Sequence, residues 1–229
     1  MGYYRYIAHC LRWSHITKHL QQKELYKKAS ILDIGCGREI PLLKNLYTMK
    51  MTPKEYVGVD LHRIQPTDLH RQIINKIGHD NFYLRDECDF SEENYPPVNT
   101  PHVITCIEVL EHNSPAKVVQ ILDNIYTIAG KFTTIFISTP CFDKKERDNH
   151  INEMTYEHLE HLLITSRFNI LSRWGTLANQ ADIEPRLKGD SLQRAYKYLK
   201  DYYDSDLLAI LFAPLFPKYS RNVLWKLTV

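Results

Sequence analysis

The feature that most restricts how this chain can fold is an alternation running from residue 30 to residue 172. Short β-rich runs at 30–34, 56–60, 81–85, 102–107, 133–138 and 168–172 are separated by stretches of helical period at 42–49, 69–77, 115–129 and 155–166. Strands that alternate with helices pair in parallel, and such a sheet must be covered by helices on both faces. The expectation is an α/β fold, a Rossmann-like doubly wound and mostly parallel seven-stranded sheet. Residues 3–29 read as a helix. Segment 175–222 breaks the alternation with a helix at 190–203 and a second, apolar helix ended by Pro214 and Pro217, and 223–227 supplies the last strand. The chain divides into a helical N-terminal extension at 1–29, a core at 30–174, a helical insertion at 175–222 and a last core strand at 223–229. The insertion is open to two uses, a lid over substrate or a packing or dimer element.

At 229 residues, with 44% apolar and 24% charged residues, the chain can bury one medium-sized core. Its net charge of +2 selects no partner. Residues 1–28 are locally basic, with Arg5, Arg12, Lys18, Lys23, Lys27 and Lys28 against Glu24. That pattern can meet phosphate or form a solvated helix face. The cysteines are scattered with no C-x-x-C pair, which argues against a zinc ribbon or disulfide scaffold. The longest apolar run, 207–216, contains Pro214 and is too short to span a bilayer, and no signal-type segment is visible. A cytoplasmic protein without a membrane partner is expected.

The run Ser30-Ile31-Leu32-Asp33-Ile34-Gly35-Cys36-Gly37 leads an apolar strand into two glycines, which let the backbone turn sharply and approach a ligand. Ligands of doubly wound sheets sit outside the C-terminal strand ends, where this loop falls. A second acid, Asp60, closes the next strand and can accept hydrogen bonds from ribose hydroxyls. A dinucleotide fingerprint would need a third glycine where Ile40 stands. The D-x-G-x-G pattern resembles motif I of class I S-adenosylmethionine-dependent methyltransferases, although Arg38-Glu39 occupy the place where that family has a further small residue. The resemblance implies that Asp33 reaches the amino-acid end of the cofactor. It also implies that Asp86, in Leu84-Arg85-Asp86-Glu87-Cys88-Asp89-Phe90, holds the adenine, with Asp89 as the alternative. Gly35, Cys36, Gly37, Leu61, Glu87 and Ile107 complete the implied cofactor contacts.

After the fourth strand comes Cys106-Ile107-Glu108-Val109-Leu110-Glu111-His112. Glu108 ends the strand and Glu111-His112 would lie one turn into the following helix, so all three can face one point. This run, with Ser138-Thr139-Pro140 and with His150 before the next helix, is similar to two methyltransferase families. One is the ubiquinone-pathway O-methyltransferases; the other 2′-O-methylates the 3′ ends of small RNAs. The second resemblance implies a divalent metal, Mg²⁺ or Mn²⁺, on Glu108, Glu111, His112 and His150, with Glu111, His112 and His150 catalytic. Metal-free relatives use the histidine as a general base, and in others it only hydrogen-bonds a loop. Both readings stay open.

The RNA family's aromatic, basic stretch after its last histidine is replaced here by Ile151-Asn152-Glu153-Met154. The D/N/S-P-P-Y/F signature of base methylation is missing. His158 and His161, at the wrong spacing for a zinc protease, read as helix-surface residues. Arg221-Asn222 precede the last strand on its cleft side. The expected reaction is O-methylation of a small-molecule or nucleotide-like acceptor such as a vicinal diol. Nucleic-acid methylation is the alternative, suggested by the basic N-terminus and by Tyr196, Lys197, Tyr198, Lys200, Tyr202 and Tyr203. A non-catalytic, cofactor-binding interaction subunit is the third reading. The acceptor's identity and the oligomeric state are not written in the sequence.

Overall fold

The computed structural model describes residues 3–65, 67–92, 99–142 and 149–229. Helix α1 (Tyr3–Gln21) is followed by a 3-10 segment (Gln22–Lys27). The single helix expected over 3–29 thus tightens in its last turns, where Leu25 and Tyr26 pack on the core and the chain turns into the first strand. The strands are β1 (Ser30–Ile34), β2 (Glu55–Val59), β3 (Phe82–Arg85), β4 (Val103–Ile107), β5 (Thr134–Pro140), β6 (Asn169–Leu177) and β7 (Asn222–Thr228). Between β1 and β6 lie α2 (Pro41–Thr48), α3 (Asp68–Ile77), α4 (Pro115–Ile128) and α5 (Tyr156–Thr165). The sheet order is β3-β2-β1-β4-β5-β7-β6, with β7 antiparallel to both neighbours and the other pairs parallel. The order reverses between β1 and β4, and a crevice opens at such a switch point.

Strands β1 and β4 are buried along their whole length, as central parallel strands covered on both faces must be. Period-2 alternation sends Ile31, Val103 and Phe136 to one face, against Ile16 and Leu20 of α1, Leu42 and Leu46 of α2, and Ile73 of α3. Leu32, Ile104 and Ile135 go to the other, against Val118 and Leu122 of α4 and Leu159 and Leu163 of α5. The helix starts carry the expected chemistry. Ser114 precedes Pro115 at the head of α4, and Thr155 Oγ1 accepts from the His158 amide at the head of α5. His158 and His161 are exposed on α5.

Beyond β6 come α6 (Gln180–Ile183), α7 (Asp190–Leu199) and α8 (Ser205–Phe212), the last starting on an Asp204 cap. Strand β6 continues to Leu177, past the expected edge of the core, and α7 stops four residues short of the expected 203. These helices share a small core around Ile183, Tyr196 and Leu208. Tyr196 is buried against Phe212, whereas Tyr198 and Tyr202 are exposed. Among the described residues, no helix is long and apolar enough to cross a membrane.

Candidate active site

A cavity of about 1310 Å³ opens at the C-terminal ends of β1, β2 and β4. The cofactor wall is made mostly of main chain. Gly35 and Gly37 have φ of +66° and +72°, and a Cβ on Gly35 would stand 2.2 Å from Val109 Cγ2. The Gly35 and Cys36 amides donate to the Val59 carbonyl at 2.8 and 3.1 Å, which folds the loop across the end of β2. Asp60 is fixed there, accepting from the Gly37 amide at 2.8 Å and the His62 amide at 2.7 Å. Ile40, also at positive φ (45°), turns the chain into Pro41 and α2 without the third glycine. Gly35, Cys36, Gly37, Asp60, Leu61 and Ile107 all line the cavity.

Three acids expected on this wall stand elsewhere. Asp33 is 1% exposed beneath the loop, where it accepts from Tyr56 Oη at 2.5 Å and Thr105 Oγ1 at 2.6 Å, tying β1 to both neighbours. Burial pushes its carboxyl up to about 6, against the pull of those two hydroxyls. Asp86 and Glu87 are exposed and do not line the cavity; Cys88, Asp89 and Phe90 do. The Cys88 amide donates to the Asp60 carbonyl at 3.0 Å, so the chain has already turned when it reaches the wall. Asp89, bonded to Ser91 and Lys117, is therefore the acid of this segment that lines the cavity, where the resemblance had Asp86 with Asp89 as the alternative.

Beyond β4 the site is built from side chains, of which Glu108 and His112 line the cavity while Glu111 and His150 stand behind them. Glu108, at φ 57°, accepts from Ser138 Oγ at 3.0 Å and from Asn222 Nδ2 at 2.9 and 3.1 Å, and lies 3.6 Å from Arg12 Nη1. Glu111 and His112 sit in a 3-10 turn, Leu110–His112, ahead of α4 and not within it as expected. The cause is local: Ser114-Pro115 start the helix three residues later. Glu111 is 1% exposed; its Oε2 accepts from Thr139 Oγ1 at 3.1 Å, and its Oε1 has no hydrogen-bond partner among the described residues. Burial and the neighbouring Glu108 charge raise its carboxyl well above the ordinary range. His112 Nε2 lies 3.8 Å from that free oxygen, and His112 Nδ1 meets the Asn149 carbonyl at 2.5 Å.

His150 packs edge-on to His112 with ring centroids 5.0 Å apart. Its Nδ1 bonds Glu153, which also pairs with Arg221. One atom each from Glu111, His112 and His150 lie within 4.8 Å of one another. Three of the four implied metal ligands therefore converge, and Glu108 does not join them.

Arg12, Asn149, Thr139, Glu153 and Asn222 complete the site. Of these, Asn222 had a signal in its place at the start of the last strand and Thr139 in the Ser138-Thr139-Pro140 run. None of residues 175–222 lines the cavity; helix α1 does, through His9, Arg12 and Trp13, so the cover comes from the N-terminal extension. Arg12, grouped by sequence with a solvated basic face, is 2% exposed.

Comparison with known proteins agrees with this geometry. A family model described as a methyltransferase domain matches residues 4–182. A comparison with curated protein sequences found no match. The fold superposes on a SAM-dependent methyltransferase from Archaeoglobus fulgidus with TM-score 0.54 and 17% identity over the whole of both chains. The methyltransferase domain of bacterial CtHen1 gives 0.54 and 12% over 95% of this chain and 96% of that one. PKMT2 from Rickettsia typhi, in complex with AdoHcy, gives 0.52 and 16% over 89% of this chain; the match spans about half, 49%, of PKMT2. The glycine turn at a parallel switch point, the acid closing β2 and the family match together make this chain a member of the methyltransferase-domain family, a class I S-adenosylmethionine-dependent methyltransferase.

Proposed function

We propose that the enzyme methylates a hydroxyl of a vicinal diol or catechol, on a small-molecule or nucleotide-like acceptor, with a divalent ion on Glu111, His112 and His150. The observation that carries this reading is the pairing of an unpartnered, buried Glu111 oxygen with two imidazoles whose Nδ1 atoms are already engaged. When Nδ1–H is held by a carbonyl or carboxylate, Nε2 keeps its lone pair for a metal, and the outer partner fixes the ring. Mixed carboxylate and imidazole donors suit Mn²⁺ or Mg²⁺. Bound there, such an ion would make a coordinated hydroxyl more acidic.

The chain's own residues do the rest. The Gly35–Gly37 turn, its own amides bonded to Val59 and Asp60, lets the cofactor approach the backbone with no Cβ in the way, and Asp60 stands ready for its ribose hydroxyls. The cofactor supplies an electrophilic methyl on sulfur. The Glu111–His112–His150 cluster, which reaches the same cavity through His112, would hold the acceptor oxygen there, so that proximity and alignment contribute much of the rate.

A second reading has its own support. His112 is 42% exposed in its side chain, and with Nδ1 held by Asn149 it can take the hydroxyl proton on Nε2 without a metal. Radiolabelled methyl transfer to catechol, phenol, and oligoribonucleotides ending in a 2′,3′-diol or a 3′-deoxyribose separates these readings. The metal-held diol predicts transfer to the diols only, abolished by EDTA and restored by Mn²⁺. EDTA-resistant transfer leaves His112 as a metal-free base. A preference for amine acceptors sinks O-methylation altogether.

A further inference from the structure

We propose that Glu108 is not a metal ligand but half of a latch: Arg12 on the N-terminal helix, with Asn222 and Ser138, holds it away from the Glu111–His112–His150 cluster and docks α1 over the cavity. This rests on the metal reading for its first part only; the docking of α1 stands without it.

The Glu108 carboxylate is already bonded from three directions. Ser138 comes from β5, Asn222 from β7 and Arg12 from α1, at 3.0, 2.9 and 3.6 Å. Two of those donors sit on rigid central strands. Arg12 is the more demanding partner. It is 2% exposed, its Nη2 contacts His9, its Nε has no hydrogen-bond partner, and Glu108 is its ion-pair partner among the described residues. Turning Glu108 to a metal would break these bonds and strand a buried guanidinium, which is costlier than leaving a site with one protein ligand fewer. A centre with three protein ligands keeps more positions open for both oxygens of a diol.

Arg12 is thus a positioning residue, and its removal should have a counterintuitive effect. Mn²⁺ alone, titrated into the purified full chain by calorimetry, is the probe. Glu111→Gln should weaken binding by roughly tenfold or more, and Glu108→Gln by less than about threefold. Arg12→Ala should tighten binding by roughly tenfold, because a positive charge leaves and a freed carboxylate can turn to the ion. The Arg12→Ala/Glu108→Gln double variant should lose that gain, and Arg12→Lys should behave nearly as wild type. Amide hydrogen exchange on metal-free protein should show faster exchange across residues 3–21 in both Arg12→Ala and Glu108→Gln.

Equal loss of Mn²⁺ affinity in Glu108→Gln and Glu111→Gln would overturn the proposal. So would Arg12→Ala that fails to tighten binding, or tightening that survives in the double variant. A wild-type protein that binds no Mn²⁺ removes the metal reading and passes the decision to exchange. Unchanged protection of α1 then overturns the latch, and faster exchange in both variants retains it.

Discussion

The two walls of the cavity are made from different materials. The cofactor wall is main chain: two glycines, a string of amides and one carboxylate whose oxygens both accept from backbone. The opposite wall is side chain, drawn from α1, the turn after β4 and the segment before α5, and backed by Thr139 of β5 and Asn222 of β7. It leaves a carboxylate oxygen without a partner beside two anchored imidazoles. A wall of self-satisfied backbone can be specified by a few consecutive residues. A wall of reactive side chains needs distant segments to arrive together, and its unsatisfied groups mark where ligand is to bind.

The sharpest way to break this division is to damage one wall and assay the other. Glu111→Gln and His112→Ala should each lower kcat by about 10²- to 10⁴-fold. AdoHcy affinity by calorimetry should stay within about threefold in both. Comparable losses of AdoHcy binding would mean that the walls are not separable.

Next in size is the support beneath the cofactor wall. Asp33 ionises near 6 in the fold, against 3.8 ordinarily, because it is buried. The folded state therefore holds its proton more tightly than the unfolded chain. Stability from this group is fully present below pH 4, falls as pH rises through 6, and is level above that. The change is about 3 kcal/mol. Asp33→Asn, which does not ionise and keeps an oxygen acceptor for one of Tyr56 and Thr105, should flatten that part of the pH–stability curve in urea denaturation. A curve superposable on wild type between pH 4 and 6 would show that the carboxyl is not held in this way.

Asp60→Ala should weaken AdoHcy by roughly 10- to 100-fold, the worth of hydrogen bonds to a charged group, and leave Mn²⁺ affinity unchanged. An effect of similar size is expected at Gly35→Ala, about 1–3 kcal/mol of stability from the positive φ and the approach to Val109. Val109→Ala in the same chain should recover part of it, since only the steric share is removed.

What could be read in the sequence follows the same division. The strands of the core and the cofactor turn are local patterns, and β1 lies at the very residues its apolar run marked, 30–34. Asp60 was legible because it closes a strand. Asp33 was legible as an acid but not in its role: its neighbours Tyr56 and Thr105 come from strands that pair with β1 only in three dimensions. The acidic segment after β3 was legible, but not which of its acids faces the cavity: Asp86 is exposed while Cys88 and Asp89 line it, a direction set by the bond from Cys88 to Asp60. Arg12 could not be found from its charge pattern, which is that of a wet helix face. Only its partner, 96 residues further on, explains why it is buried. Glu153 and Asn149, likewise, act on His150 and His112 through contacts that spacing does not encode.

The proposed metal centre on Glu111, His112 and His150 would face the cofactor. It is tested most directly by anomalous diffraction at the manganese edge from crystals grown with AdoHcy and soaked in Mn²⁺. The account predicts one strong peak within bonding distance of Glu111 Oε1 and the Nε2 atoms of His112 and His150, with Glu108 still bound to Asn222 and Arg12. A map with no peak there, from crystals in which AdoHcy is well ordered, would contradict it.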